Sequence, residues 1–228
     1  MQYLISQFFT TEELNQFKSV IDKCTWEDGV ASLDLPNELK INEEEDTRRK
    51  HVLKKNLQCW PNTEFFYSVL DNHIDFLDWT RARKSTEPLV TITDVGGYYR
   101  PHFDFVENGH FSTTIFLNDP SEYDGGELSL WIKGEEKKIK LEPGWGITYE
   151  TGTGHCVNEV TRGQRLVCVF WSTSTINNME DLYAYRYYDM MAKRYPVSLE
   201  DRTLQTFMNN DMNIHFREKA NKIHRRYL

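Results

Sequence analysis

Between residues 88 and 173 the chain is cut by glycine at short intervals, and this constrains its fold more than any other feature. Breaks fall at Gly96-Gly97, Gly109, Gly125-Gly126, Gly134, Gly144, Gly152, Gly154 and Gly163. Between them lie runs rich in Val, Ile, Thr, Tyr, Phe and Trp, the residue types that suit a pleated, half-buried surface. Eight runs read as strands: residues 89–95, 98–105, 112–117, 127–132, 137–141, 146–150, 155–160 and 165–172. Short strands with turn signals roughly every ten residues predict a sandwich or barrel, and eight is the strand number of a jelly roll.

The flanks carry helical patterning. In residues 10–24, Thr10 or Thr11 can cap, Glu13 sits at the capping-box position, and Leu14, Phe17, Val20 and Ile21 form one stripe. Residues 26–30 read as a turn. A second helix is expected from residue 61 to about residue 78, with Phe65, Phe66, Val69, Leu70, Ile74 and Leu77 on its apolar face. Between them, residues 42–55 (NEEEDTRRKHVLKK) carry opposite charges at helical spacing. They read as a solvated helix or mobile loop, or as a lid over a site. Residues 177–228 return to helical patterning and end in the basic cluster His224-Arg225-Arg226, read as a solvated helix end. The expected architecture is mainly β with flanking helices: one domain over residues 1–228, with a helical support (1–87), a jelly-roll, cupin-like core (88–173) and C-terminal helices (174–228).

The net charge of −8 does not suit a surface built to neutralise phosphates, which argues against nucleic-acid binding. No run approaches the ~20 apolar residues needed to cross a bilayer. The opening residues MQYLISQFFTTEE have no basic region ahead of an apolar one, as a signal peptide would. The four cysteines, Cys24, Cys59, Cys156 and Cys168, form no CxxC pair and no metal-finger spacing. Cys156 and Cys168 lie in apolar segments and read as buried small hydrophobes. A reducing cytoplasm is the simplest compartment for such a chain.

The chemistry concentrates in the β zone. If residues 98–105 form a strand, His102 and Asp104 share a face, because side chains alternate with period two. An HxD pair alone is most often a surface pair. His155 opens a later strand that a jelly roll can place beside the first. Two histidines and one carboxylate on one face of a metal leave the other face open, as in non-haem Fe(II) oxygenases, whereas a structural zinc site would want a fourth protein ligand. Arg165 starts the next strand and shares a face with Val167, Val169 and Trp171. It either stands exposed at the strand's start or points inward, where an anion must meet it. With His102, Asp104 and His155 upstream, a co-substrate carboxylate is the expected anion.

The segments VGGYYRPHFDF (95–105), TTIFLNDPSEYDGGELSL (113–130) and GHCVNEVTRGQRLVCVFW (154–171) resemble the 2-oxoglutarate/Fe(II) dioxygenase superfamily. The strand beginning at Trp145 fits the same pattern. Within that superfamily the chain resembles the PKHD-type hydroxylases, relatives of prolyl 4-hydroxylases. The opening helix followed by Trp-x-x-Gly is similar to theirs as well, while residues 31–87 and those after about 174 carry no likeness. The resemblance implies Fe(II) on His102, Asp104 and His155, the distal carboxylate of 2-oxoglutarate on Arg165, and Tyr99 lining the co-substrate pocket with Thr93, Thr114, Val157 and Trp171. It implies O2 as oxidant, ascorbate as a possible reductant, and release of succinate and CO2. The substrate implied is a prolyl residue in a peptide or protein, with a free amino acid, a small metabolite or a non-catalytic metal- or sugar-binding module as alternatives. Thr93 and Phe116 stand where relatives carry tyrosines, so either the carboxylate is bound with fewer hydroxyl donors or Thr93, Tyr98 or Thr114 substitutes. Gly125-Gly126 is expected to serve a turn that needs positive φ.

Overall fold

The computed structural model describes residues 2–33, 42–61, 63–195, 197 and 203–228. They divide into two compact units, Met1–Thr173 and Ser174–Leu228.

The first unit is a jelly roll with helical packing on one side. Its larger sheet has eight strands, seven in the order Tyr3–Gln7, Trp145–Glu150, Phe111–Phe116, Arg165–Ser174, Leu89–Thr93, Leu57–Cys59 and Glu27–Asp28. The eighth, Ala82–Ser85, pairs with Arg165–Ser174. The smaller sheet runs Glu135–Ile139, Leu128–Ile132, His155–Val157, Tyr98–His102 and Lys54–Lys55. The pairs flanking the site are antiparallel. Phe116, Leu128, Leu130, Ile147, Tyr149 and Val167 form one core. Both sheets contribute to it, so it fills the space between them.

A second core joins the larger sheet to the helices. Phe8, Phe9, Phe17, Phe66, Phe76 and Phe170 are all buried there. Phe9 and Phe17 stack at 5.1 Å, and Phe66 meets Phe170 edge-on at 5.2 Å. Phe170 faces this core because it alternates with Val169 and Trp171, which face the cavity described below. Phe66→Ala, which opens a void among Phe9, Phe17 and Phe170, is expected to cost about 3–5 kcal/mol of stability. Urea unfolding measures this, and a loss below 1 kcal/mol would mean the cluster collapses onto the gap.

The expected first helix is Thr11–Ile21, with Thr10 as N-cap and a complete Thr10–Glu13 capping box. Two expectations are corrected and two are refined. Residues 61–78 form two helices, Glu64–Asp71 and Ile74–Thr80, because His73 caps the second by accepting the Phe76 N–H on Nδ1 at 3.2 Å. Residues 155–160 are not one strand. His155–Val157 stays in the smaller sheet, while Val160–Arg162 pairs with Asp124–Gly125 as a separate ribbon. The turn at 26–30 holds the short strand Glu27–Asp28 and a 3-10 turn, Gly29–Ser32. The eight expected strands are accompanied, among the described residues, by short pieces such as Tyr3–Gln7, Lys54–Lys55 and Leu57–Cys59. Such two- to five-residue pieces are too short to show a period.

The second unit pairs the helices Met179–Arg194 and Leu204–His224. Asn213 is buried and its Nδ2 donates to the carbonyls of Ala192 and Tyr195, both at 2.7 Å, satisfying orphan groups at the first helix's end. Arg226 pairs with Asp181 at 2.8 Å, so the basic cluster at this end is not purely solvated. No described helix is long and apolar enough to cross a membrane. All four cysteines are free, and Cys156 and Cys168 are buried.

Candidate active site

The antiparallel register places His155 directly opposite His102. Register partners carry side chains on one face about 4.5–5.5 Å apart, and the two imidazole rings lie 4.2 Å apart, centroid to centroid. Asp104 lies just beyond the end of the same strand. The paired strand ends at His102, but the alternation runs on past it, so that Phe103 and Phe105 face solvent while Asp104 faces inward. His102 and Asp104 therefore share the inward side, as their period-two spacing predicts, although the paired strand itself stops at His102. Asp104 Oδ1 stands 3.7 Å from His102 Nε2, and Oδ2 stands 3.6 Å from His155 Nε2. One ligand atom from each residue lies within 4.8 Å of the others.

Backbone carbonyls fix both imidazoles. His102 Nδ1 lies 2.8 Å from Arg100 O, and His155 Nδ1 lies 2.9 Å from Thr153 O. An N–H at each Nδ1 donates to its carbonyl, which leaves the Nε2 lone pairs directed at the shared point. Burial, then the neighbouring His155, pushes the His102 pKa down to about 4, so its ring is neutral at neutral pH. Asp104 is oriented as firmly. Ser112 Oγ donates to its Oδ2 at 2.7 Å and Trp171 Nε1 donates to the same oxygen at 2.9 Å. Ser112 and Trp171 are register partners on adjacent strands, so both donors rise from one face at one level.

Arg165 points inward and is only 2% exposed. Burial lowers its pKa, opposed by the nearby Tyr123, Tyr149 and Glu127. Its guanidinium lies 5.6 Å over the Phe116 ring, and its Nε has no hydrogen-bond partner. No carboxylate within ion-pair distance meets it among the described residues. Gly126 makes this placement possible. It sits at φ 65°, and a Cβ there would lie 3.1 Å from Arg165 Cδ. Gly125, at φ 70°, would drive a Cβ to 2.0 Å from the Glu159 carbonyl oxygen.

One cavity of about 360 Å³ is lined by Thr93, Tyr99, His102, Asp104, Thr114, His155, Val157, Arg165 and Trp171. Every residue that the sequence assigns to the metal or the co-substrate therefore meets the same space. Thr93 is the register partner of Arg165, Val157 that of Tyr99, and the Tyr99 ring stacks on His102 at 3.6 Å. Tyr98 also lines the cavity, but its hydroxyl is committed to the carbonyls of His51 and Val52 at 3.3 Å. The hydroxyl missed in the sequence is that of Tyr149. It is fully buried in the cavity wall and bonded to Thr114, and burial raises its pKa far above the usual range. Its signal was the alternation of Ile147 and Tyr149 on one strand face.

Lys54 was missed as well. The charged segment 42–55 is a helix, Glu43–Leu53, capped by Asn42, followed by the two-residue strand Lys54–Lys55 against Tyr99 and Tyr98. The expectation of a wholly solvated segment fails at Lys54, which is 4% exposed and lines the cavity.

Residues 88–173 match the 2OG-Fe(II) oxygenase superfamily. A PKHD-type hydroxylase of Prochlorococcus marinus (strain MIT 9301) is 33% identical over 187 residues, covering 79% of this chain and 82% of the relative. Among solved structures, a Pseudomonas putida prolyl-4-hydroxylase superposes with a TM-score of 0.53 at 15% identity, over 76% of this chain and 92% of its own. A Trichoplax adhaerens prolyl hydroxylase in complex with a hypoxia inducible factor peptide fragment gives 0.57 at 13% identity, over 75% and 83%. At these identities the likeness of the solved structures is one of fold.

Proposed function

The chain belongs to the PKHD-type hydroxylases of the 2OG-Fe(II) oxygenase superfamily, and from that premise we propose that it hydroxylates an unactivated carbon of a prolyl residue in a peptide or protein. The family works with Fe(II), 2-oxoglutarate and O2. The residues present suit that set. Two imidazole nitrogens and one carboxylate make a facial donor set open on its remaining side. The unpartnered, buried Arg165 suits a carboxylate, whose two oxygens match the guanidinium fork. The observation that carries the reading is the meeting of these two features in one cavity.

In this reading His102, Asp104 and His155 hold the metal, and Arg165 holds the far carboxylate of 2-oxoglutarate, with the Tyr149–Thr114 hydroxyl pair beside it. When bound, these groups with O2 supply the oxidising power, giving succinate, CO2 and one hydroxyl on the substrate carbon. The chain's own work is to orient and to exclude water. Ser112 and Trp171 fix the rotamer of Asp104, while Phe103 and Phe105 stand at the cavity's edge. A second, more open groove of about 600 Å³ also touches His102, Phe103 and His155 and is lined by Trp131 and Pro101. A groove of that volume beside the site gives the chain flanking a target residue somewhere to lie.

Removing an outer partner of a metal ligand typically costs about 10–100-fold in metal affinity. Ser112→Ala is expected to weaken anaerobic Fe(II) binding by that amount, read by titration. An unchanged affinity would show that Asp104 needs no such orientation. The function itself is tested by incubating the protein with Fe(II), 2-oxoglutarate, ascorbate and a panel of prolyl peptides in air. The expected result is succinate formation coupled to gain of one oxygen atom on proline, located by mass spectrometry. Succinate coupled to a non-prolyl substrate would overturn the substrate reading but not the chemistry.

A further inference from the structure

The cavity holds a second buried cation that neither the metal ligands nor Arg165 accounts for. Lys54 Nζ donates to Ser32 Oγ at 2.8 Å, stands 3.5 Å from Gln58 Oε1, and lies 5.0 Å from the centre of the Tyr99 ring. All three partners are neutral. Asp104 and Asp28 act on it only from beyond ion-pair distance, and no carboxylate lies closer among the described residues. The placement is built rather than accidental. The strand Lys54–Lys55 registers Lys54 against Tyr99, whose ring stacks on His102. A long flexible side chain is thereby held beside the strand that ends in the metal-binding histidine.

A buried ammonium with neutral partners and one N–H to spare is costly until an anion meets it. The charges of 2-oxoglutarate are already matched in the reading above, one end by the metal and the other by Arg165. We infer that Lys54 anchors a carboxylate of the main substrate, which narrows the substrate to a compound carrying a carboxylate close to the hydroxylated carbon. That carboxylate belongs to a free amino acid, to a peptide C-terminus or to an acidic neighbour of the target residue. The inference rests on the dioxygenase reading.

The test uses matched pairs of amino acids and prolyl peptides, each as a carboxylate and as its amide isostere, assayed for stimulated succinate formation with Fe(II) and 2-oxoglutarate in air. A hydrogen bond to a charged group predicts that wild-type protein favours the carboxylate member in kcat/KM by about tenfold or more. Lys54→Met is expected to bring that ratio close to one, and Lys54→Arg to keep most of it. Wild-type protein treating both members alike overturns the inference, and that comparison needs no variant to fold. So does a ratio that survives in Lys54→Met, a panel in which no carboxylate compound stimulates, or a Lys54→Met variant that loses affinity for 2-oxoglutarate alone. The substrate-free reaction separates this failure from a deeper one. If wild-type protein forms no succinate under any condition, the dioxygenase reading fails and takes the inference with it.

Discussion

His155→Ala is expected to abolish hydroxylation and substrate-free decay of 2-oxoglutarate together. The loss should exceed the roughly 10–100-fold that removal of an outer partner costs. His155 is buried, faces Asp104 at 3.6 Å, and has its Nδ1 tied to Thr153 O, so no neighbouring side chain can take its place. With it gone, the donor set falls from three ligands to two. The fold should survive, because His155 contributes to a short strand whose backbone pairing the substitution leaves intact. A variant with native-like unfolding and no turnover is the expected outcome, measured by urea denaturation beside a succinate assay. Substantial activity in a folded His155→Ala protein would remove the histidine from the metal site.

Arg165→Leu is expected to act on the other half of the cavity. Breaking a buried ion pair from one side typically costs about 3–5 kcal/mol, which corresponds to a rise of roughly 10²–10⁴-fold in the concentration of 2-oxoglutarate needed for half-saturation. Metal affinity should hardly change, since Arg165 touches none of the three ligands. The ligand-free protein should lose little stability and could gain some. In that state the wild-type guanidinium is buried with no anion, and a leucine removes the desolvation penalty while keeping apolar contact with Phe116. Lower stability together with normal 2-oxoglutarate binding would mean that Arg165 is a structural residue.

Much of this site is legible in the chain itself, for physical reasons that differ by residue. Glycines punctuate the strands of the core, and alternation tells which face of Arg165–Ser174 points inward, so Arg165, Val169 and Trp171 can be placed together without coordinates. The pairing of His102 with His155 follows from jelly-roll topology. Asp104 is legible from period-two spacing, which holds past the end of the paired strand, since Phe103 and Phe105 are exposed and Asp104 faces His102. Tyr149 was hidden because a tyrosine alternating with isoleucine looks like ordinary core. Lys54 was hidden more deeply. It closes a segment dense in charge whose pattern points to solvent, and only a two-residue strand pairing with Tyr99 carries it inside. Local composition cannot announce burial that a distant strand imposes.

The central claim is that one cavity holds both a metal and a 2-oxo acid, each on its own residues. Anaerobic calorimetric titration of the wild-type protein tests this most directly, first with Fe(II) and then with 2-oxoglutarate, repeated in His102→Ala and in Arg165→Leu. The account predicts one Fe(II) per chain, then one 2-oxoglutarate that binds tightly only after the metal. Metal binding should be lost in His102→Ala, and co-substrate binding alone should be weakened in Arg165→Leu. Equal binding of 2-oxoglutarate with and without Fe(II), or Fe(II) affinity unaffected by His102→Ala, would contradict it.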